Sequence, residues 1–179
     1  MKMLKKLLAV VLTGAMALTL FTACGSNAVT EKDIADVMSD MAKAEAEGTN
    51  VTFTPRAKER EMAQKVAALL ESHSEDDSNS AELSAKIQGI LGIDQGGVNE
   101  NNFVWVQNAL TDKLGAEGQA FQVMESLTDK GGAYNFSSLG SKEPADTRYM
   151  GTALCKIPDQ KDNLVTVRVI VVTAKAEDE

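Results

Sequence analysis

The chain holds 179 residues, 18 of them basic and 26 acidic, for a net charge of −8 near neutral pH. A surface of that sign repels phosphate backbones and anionic lipid headgroups, which excludes nucleic-acid binding. Cysteine occurs only at Cys24 and Cys155, too few for a disulfide framework or a cysteine metal cluster.

Lys2, Lys5 and Lys6 precede an uncharged, mostly apolar run from Leu7 to Phe21, and small residues follow. That order predicts an export signal over 1–23. At about 15 residues the run is short for a bilayer span, which needs about 20. The stretch Leu20-Phe21-Thr22-Ala23-Cys24-Gly25-Ser26 resembles a bacterial lipobox, with Phe21 where leucine is usual. The resemblance implies cleavage before Cys24, lipidation of its thiol and anchoring to a membrane. Two acyl chains hold a protein there stably where one does not. The rival is plain secretion, with cleavage after a small-x-small stretch such as Ser26-Asn27-Ala28. Cleavage before Cys24 would leave 156 residues, 15 basic and 26 acidic, net −11. That length suits one domain with a real core.

Residues 24–29 read as a tether, 30–176 as one domain and 177–179 as an acidic tail. Thr30, with Asp33 three residues on, predicts a helix start, and Ile34, Val37, Met38 and Met41 follow at helical spacing up to Gly48. "NVTF" is a short extended piece. Thr54-Pro55 predicts a second helix start, hydroxyl cap then proline, with Met62, Ala63, Val66, Leu69 and Leu70 as its buried stripe and an end near His73. "SEDDSNS" lacks the glycine and acid spacing of an EF-hand and reads as a solvated loop. Ser80 caps a third helix, with Leu83, Ile87, Ile90 and Leu91 on one face and Gly92 as its stop. The pattern from Phe103 to Leu114 is ambiguous, with Trp105 as an apolar anchor. Glu117 to Asp129 is helical, its stripe set by Phe121, Met124 and Leu127. "KGGAYNFSSLGSKEPADTR" reads as a long loop.

"YMGTALCKI" and "NLVTVRVIVVTA" flank a polar turn and predict a hairpin. Val165, Val167, Val169 and Val171 line one face, and Ile170 and Val172 make the second strand apolar on the other. Such a strand needs cover on both sides. With the helices before it, the expected fold is α+β, a three-layer α-β-α sandwich with the hairpin in its central sheet. Cys155, in the alternating stretch, is expected to be a small buried apolar residue.

The order of these features resembles the CAP superfamily, or SCP domain, of cysteine-rich secretory, antigen and pathogenesis-related proteins. "IADVMSDMAKAEAEGTNVTFT" matches the opening helix, "REMAQKVAALLESH" a second helix ending in Ser72-His73, and "AELSAKIQGILG" the third. Glu100-Asn101 matches a Glu-Asn dipeptide, 27 residues beyond His73, and the closing hairpin matches "YMGTALCKI" and "NLVTVRVIVV". The resemblance spans Thr30 to Ala174. It implies a cleft that gathers two histidines and two acids able to hold a divalent metal. Here Val123 stands where a tryptophan belongs, and Lys130 or Gly131 falls where the second histidine would be. His73, Glu100, Asn101 and, as a third member, Glu125 are the cleft candidates. His73 and Glu100 alone are candidate metal ligands, short of the three or four that a site wants.

The expected protein is therefore a non-catalytic binding or interaction lipoprotein, degenerate in its CAP-like cleft, without cofactor. It would be held through Cys24 on the outer face of the bacterial cytoplasmic membrane or in the envelope. The alternative is a metal-dependent or hydrolytic enzyme using His73 and Glu100; general acid–base work needs groups within hydrogen-bond reach. No Gly-x-Ser-x-Gly or Gly-rich phosphate loop stands in the chain. A solute-capturing transporter lipoprotein would commonly need two domains, more than 156 residues supply.

Overall fold

The structure is a computed structural model that describes residues 29–45, 50–72, 80–93, 101–111, 114–128, 132–159 and 163–178. The described elements run α1 (Glu31–Glu45), β1 (Thr52–Pro55), α2 (Ala57–Ser72), α3 (Ser80–Ile90), β2 (Asn102–Leu110), α4 (Ala116–Thr128), α5 (Phe136–Leu139), β3 (Glu143–Pro158) and β4 (Leu164–Glu177). The fold is α+β. Its four strands form one mixed sheet in the order β1-β3-β4-β2, with β1 parallel to β3 and the other pairs antiparallel.

β4 is a central strand because it is apolar on both faces. Val167, Val169 and Val171 join one buried cluster with Ala63 and Val66 of α2 and Leu91 just after α3. Ile170, Val172 and Ala174 join another with Ile34 and Met38 of α1 and Val123 and Leu127 of α4. Side chains alternate across a strand, so the two clusters lie on opposite faces of the sheet. β2 repeats the pattern: Phe103 and Trp105 stack at 5.7 Å between centroids in the cluster under α1 and α4, and Val104 enters the one under α2 and α3. The ambiguous stretch from Phe103 is thus a strand, apolar on both faces where it is deepest. The hairpin forms as expected, Gly151 opposite Val171 and Cys155 opposite Val167.

Thr30 caps α1 as expected: the Asp33 N–H donates to Thr30 Oγ1 (3.2 Å) and the Thr30 N–H to Asp33 Oδ2 (2.8 Å). Aspartate completes the reciprocal box in place of glutamate. Other expectations shift. Thr54 and Pro55 do not open a helix. They pair with Tyr149 and Met150 in β1, and the Arg56 N–H donates to the Met150 carbonyl (2.8 Å) before α2 begins at Ala57. Tertiary pairing overrides the local helix-start signal.

The stripe of α4 holds at Met124 and Leu127 but not at Phe121. Phe121 is 76% exposed, while Ala120, Val123, Met124 and Leu127 are buried. The expected loop over 130–148 contains α5 and the first six residues of β3, which begins at Glu143 and has a register irregularity between Pro144 and Arg148. At the other end of the chain, Glu177, expected in the tail, closes β4 opposite Glu143. Val29, expected in the tether, is tied down through its carbonyl, which accepts from Arg168 Nη2 (2.9 Å).

Candidate functional site

Cys24, His73 and Glu100 lie outside the described residues, and so does any meeting of His73 with Glu100. Glu125 lies on α4, and its side chain is likewise outside the description. Asn101 is an exposed turn residue before β2 whose carbonyl accepts from the Ala176 N–H (2.9 Å). Ser72 closes α2, exposed, its hydroxyl donating to the Leu69 carbonyl (2.9 Å). Among the described residues no group of three His, Cys, Asp or Glu side chains is placed to hold a metal ion. Nor is any described helix long and apolar enough to cross a membrane.

Several polar side chains inside the fold bind one another. Glu59, fully buried on α2, accepts from Arg56 Nε (2.5 Å) and from the Thr173 hydroxyl (2.8 Å). The Arg56 guanidinium also lies 3.8 Å from the centre of the Tyr149 ring. Burial pushes the Glu59 carboxyl up, but hydrogen bonds from Arg56 and Thr173 and the Arg56 charge outweigh it and hold the group below its ordinary range. Arg168 donates to Gln119 Oε1 (2.8 Å), Thr152 Oγ1 (3.1 Å) and the Val29 carbonyl. Arg148 donates to the Leu127 carbonyl (2.5 Å) beside the Phe53 and Trp105 rings, leaving its Nε without a partner among the described residues. Burial lowers the pKa of both arginines. The same effect, with Glu71 nearby, pushes the Cys155 thiol up to about 11, so it stays protonated and inert.

A cavity of about 270 Å³ opens beside β2. Val66 and Leu70 of α2 and Ile87 of α3 form its apolar wall. Val106, Gln107 and Asn108 bring the strand, and Tyr134 closes the set. Burial raises the Tyr134 phenol, which keeps its proton. Leu70 stands two residues before Ser72, so the cavity lies at the C-terminal end of α2.

β2 is also an edge strand, and its edge is treated unevenly. The Val104 N–H donates to Asn135 Oδ1 (3.1 Å), and the Val104 carbonyl accepts from the Tyr134 N–H (2.8 Å). Asn135 Nδ2 donates to the Asn102 carbonyl, and the Leu110 N–H donates to Gln122 Oε1 (2.7 Å). Alternate residues of an antiparallel strand turn both backbone groups to the same side. Those of Val106 and Asn108 therefore also face outward, beside the cavity, and have no partner among the described residues. The sequence pointed elsewhere, to His73 and Glu100. Its signal for this edge was the two-faced apolar run around Trp105, which marks a strand but not its neighbours.

The chain matches no family model, no curated protein and no solved structure.

Proposed function

We propose that the protein is an exported lipoprotein, anchored through Cys24 outside the cytoplasmic membrane, whose single CAP-like α-β-α domain is a non-catalytic interaction module. The cavity carries the binding half of this reading. Its lining is aliphatic, with the Asn108 amide and a phenol that stays protonated at neutral pH. Such groups hold and orient a partner but do not shuttle protons near pH 7. The buried Glu59 and Arg168 are engaged by internal partners, which gives them roles in the fold. The CAP-like half rests on the order helix, short strand, two helices, strand, two helices, closing hairpin, along which the stretches that resemble that family's motifs follow in turn. In this reading His73 and Glu100 are a vestige of a metal cleft.

Zinc titration of the chain from Cys24 onward tests the non-catalytic claim. The expected result is no tight stoichiometric binding, because one imidazole and one acid do not complete a zinc site. Tight binding, abolished in His73→Ala, would instead establish an intact metal centre.

A further inference from the structure

We infer that the middle of β2 is a docking edge for an extended, basic peptide segment of a partner protein. The segment adds a fifth strand against Val106 and Asn108 and seats one apolar side chain in the neighbouring cavity. The inference rests on the interaction-module reading and gives it a surface.

The two edges of the sheet differ. At the other edge, β1 is four residues long, ends in Pro55, and has its outward Phe53 N–H bound to Ser39 Oγ (2.8 Å). Short strands, proline and side-chain cover are the usual means of blunting an edge. β2 is nine residues long and is covered towards its two ends, by Tyr134 and Asn135 and by Gln122. Between these covers, Val106 and Asn108 offer two donors and two acceptors in strand geometry. An added strand satisfies such a row by main-chain bonds, and pockets for alternate side chains supply the selectivity.

The cavity stands where that selectivity is needed. A residue directly opposite Val106 exchanges backbone bonds with it and points its side chain to the same face. On that face Val106 packs against the cluster that includes Val66 and Ile87, both of which line the cavity. At about 270 Å³ the space falls just below the usual range for small-molecule pockets, about 300–1,000 Å³, and suits a side chain.

Charge selects the occupant. The lining is uncharged, and the chain carries a net −8. Its field attracts a cationic segment and opposes a second copy of itself. The partner segment therefore alternates apolar residues, facing the cavity, with lysine or arginine.

The probe is a fluorescein-labelled seven-residue peptide of alternating lysine and valine, titrated by fluorescence anisotropy with the chain from Cys24 onward. Saturable binding is expected. It should weaken at least about tenfold when the valine amides are N-methylated, which removes the edge bonds. It should weaken similarly when glutamate replaces lysine. Val106→Pro and Asn108→Pro each delete an outward donor without touching the β2–β4 ladder, and each should weaken binding by a similar factor with the melting transition kept. If a proline variant fails to fold, Leu70→Trp, which fills the cavity, should give the same loss. Absence of saturable binding, equal binding of the methylated or acidic peptide, or unchanged binding by the folded variants would overturn the proposal. So would a wild-type dimer in sedimentation that Asn108→Pro dissociates, since the occupant would then be a second copy. Zinc held tightly through His73 would defeat the interaction-module reading separately, whatever the peptide does.

Discussion

Glu59 shows how a single residue ties a helix to the sheet. Its carboxylate is fully buried where α2 meets β4, bound by Arg56 and the Thr173 hydroxyl. The neighbouring contact is equally close: a Cβ built on Gly151 of β3 would lie 1.9 Å from the Arg60 backbone nitrogen, so only glycine admits α2 at this depth. Because the folded carboxyl is held below its ordinary value of 4.5, the pair stabilises the fold above that value. That contribution is lost as pH falls through the lower native value. Glu59→Gln should therefore flatten the acid side of the stability–pH curve from about pH 5 downward. At neutral pH it should cost about 1.5 kcal/mol, because a charge-assisted hydrogen bond is lost while the part-exposed Arg56 cation keeps its contact with water. Chemical denaturation across pH measures both effects. An unchanged acid slope in the variant would remove Glu59 as its cause.

At the scale of elements, the sequence shows most where burial is two-sided. β4 reads directly from its valines and isoleucines, and β3 from Tyr149 to Ile157 follows from the hairpin. Val169 has no exposed surface, so Val169→Asp should destabilise by several kcal/mol, about 4 or more, by burying an unpaired charge. A thermal midpoint equal to wild type would contradict the strand's central place. α4 was legible as a helix with Met124 and Leu127 buried, but Phe121 was misplaced. Spacing alone admits Phe121 in the stripe with Met124 and Leu127. The sheet instead receives Ala120 and Val123, small enough for close packing, and leaves Phe121 outside. Phe121→Lys should change stability by no more than about 0.5 kcal/mol, whereas Leu127→Ala should cost about 2–5 kcal/mol. Comparable losses for both variants would restore the sequence-derived stripe. The start of β3 was hidden for another reason: "EPADTR" carries no alternation, and its pairing with the end of β4 is supplied by the partner strand.

For the whole molecule, the class of fold was legible and the open edge of β2 was not. An edge is a relation between strands distant in sequence: β2 is outermost only because β4 pairs with β3 on its other side. The cover over Val104 comes from Tyr134 and Asn135, about 30 residues further on. Nothing local to "FVWVQNAL" specifies either. The candidates His73 and Glu100 came from dipeptides whose meaning depends on a meeting in space, and both fall outside the described residues. The account of the protein as an envelope-held interaction module depends most on Cys24, since anchoring decides where the β2 edge meets partners. Fractionation of bacterial cells expressing the full chain, wild type against Cys24→Ala, tests it most directly. The account predicts processed wild-type protein in the membrane fraction, and Cys24→Ala either released into the medium or left as uncleaved precursor. A Cys24→Ala protein that is still processed to wild-type size and still held in the membrane fraction would contradict it.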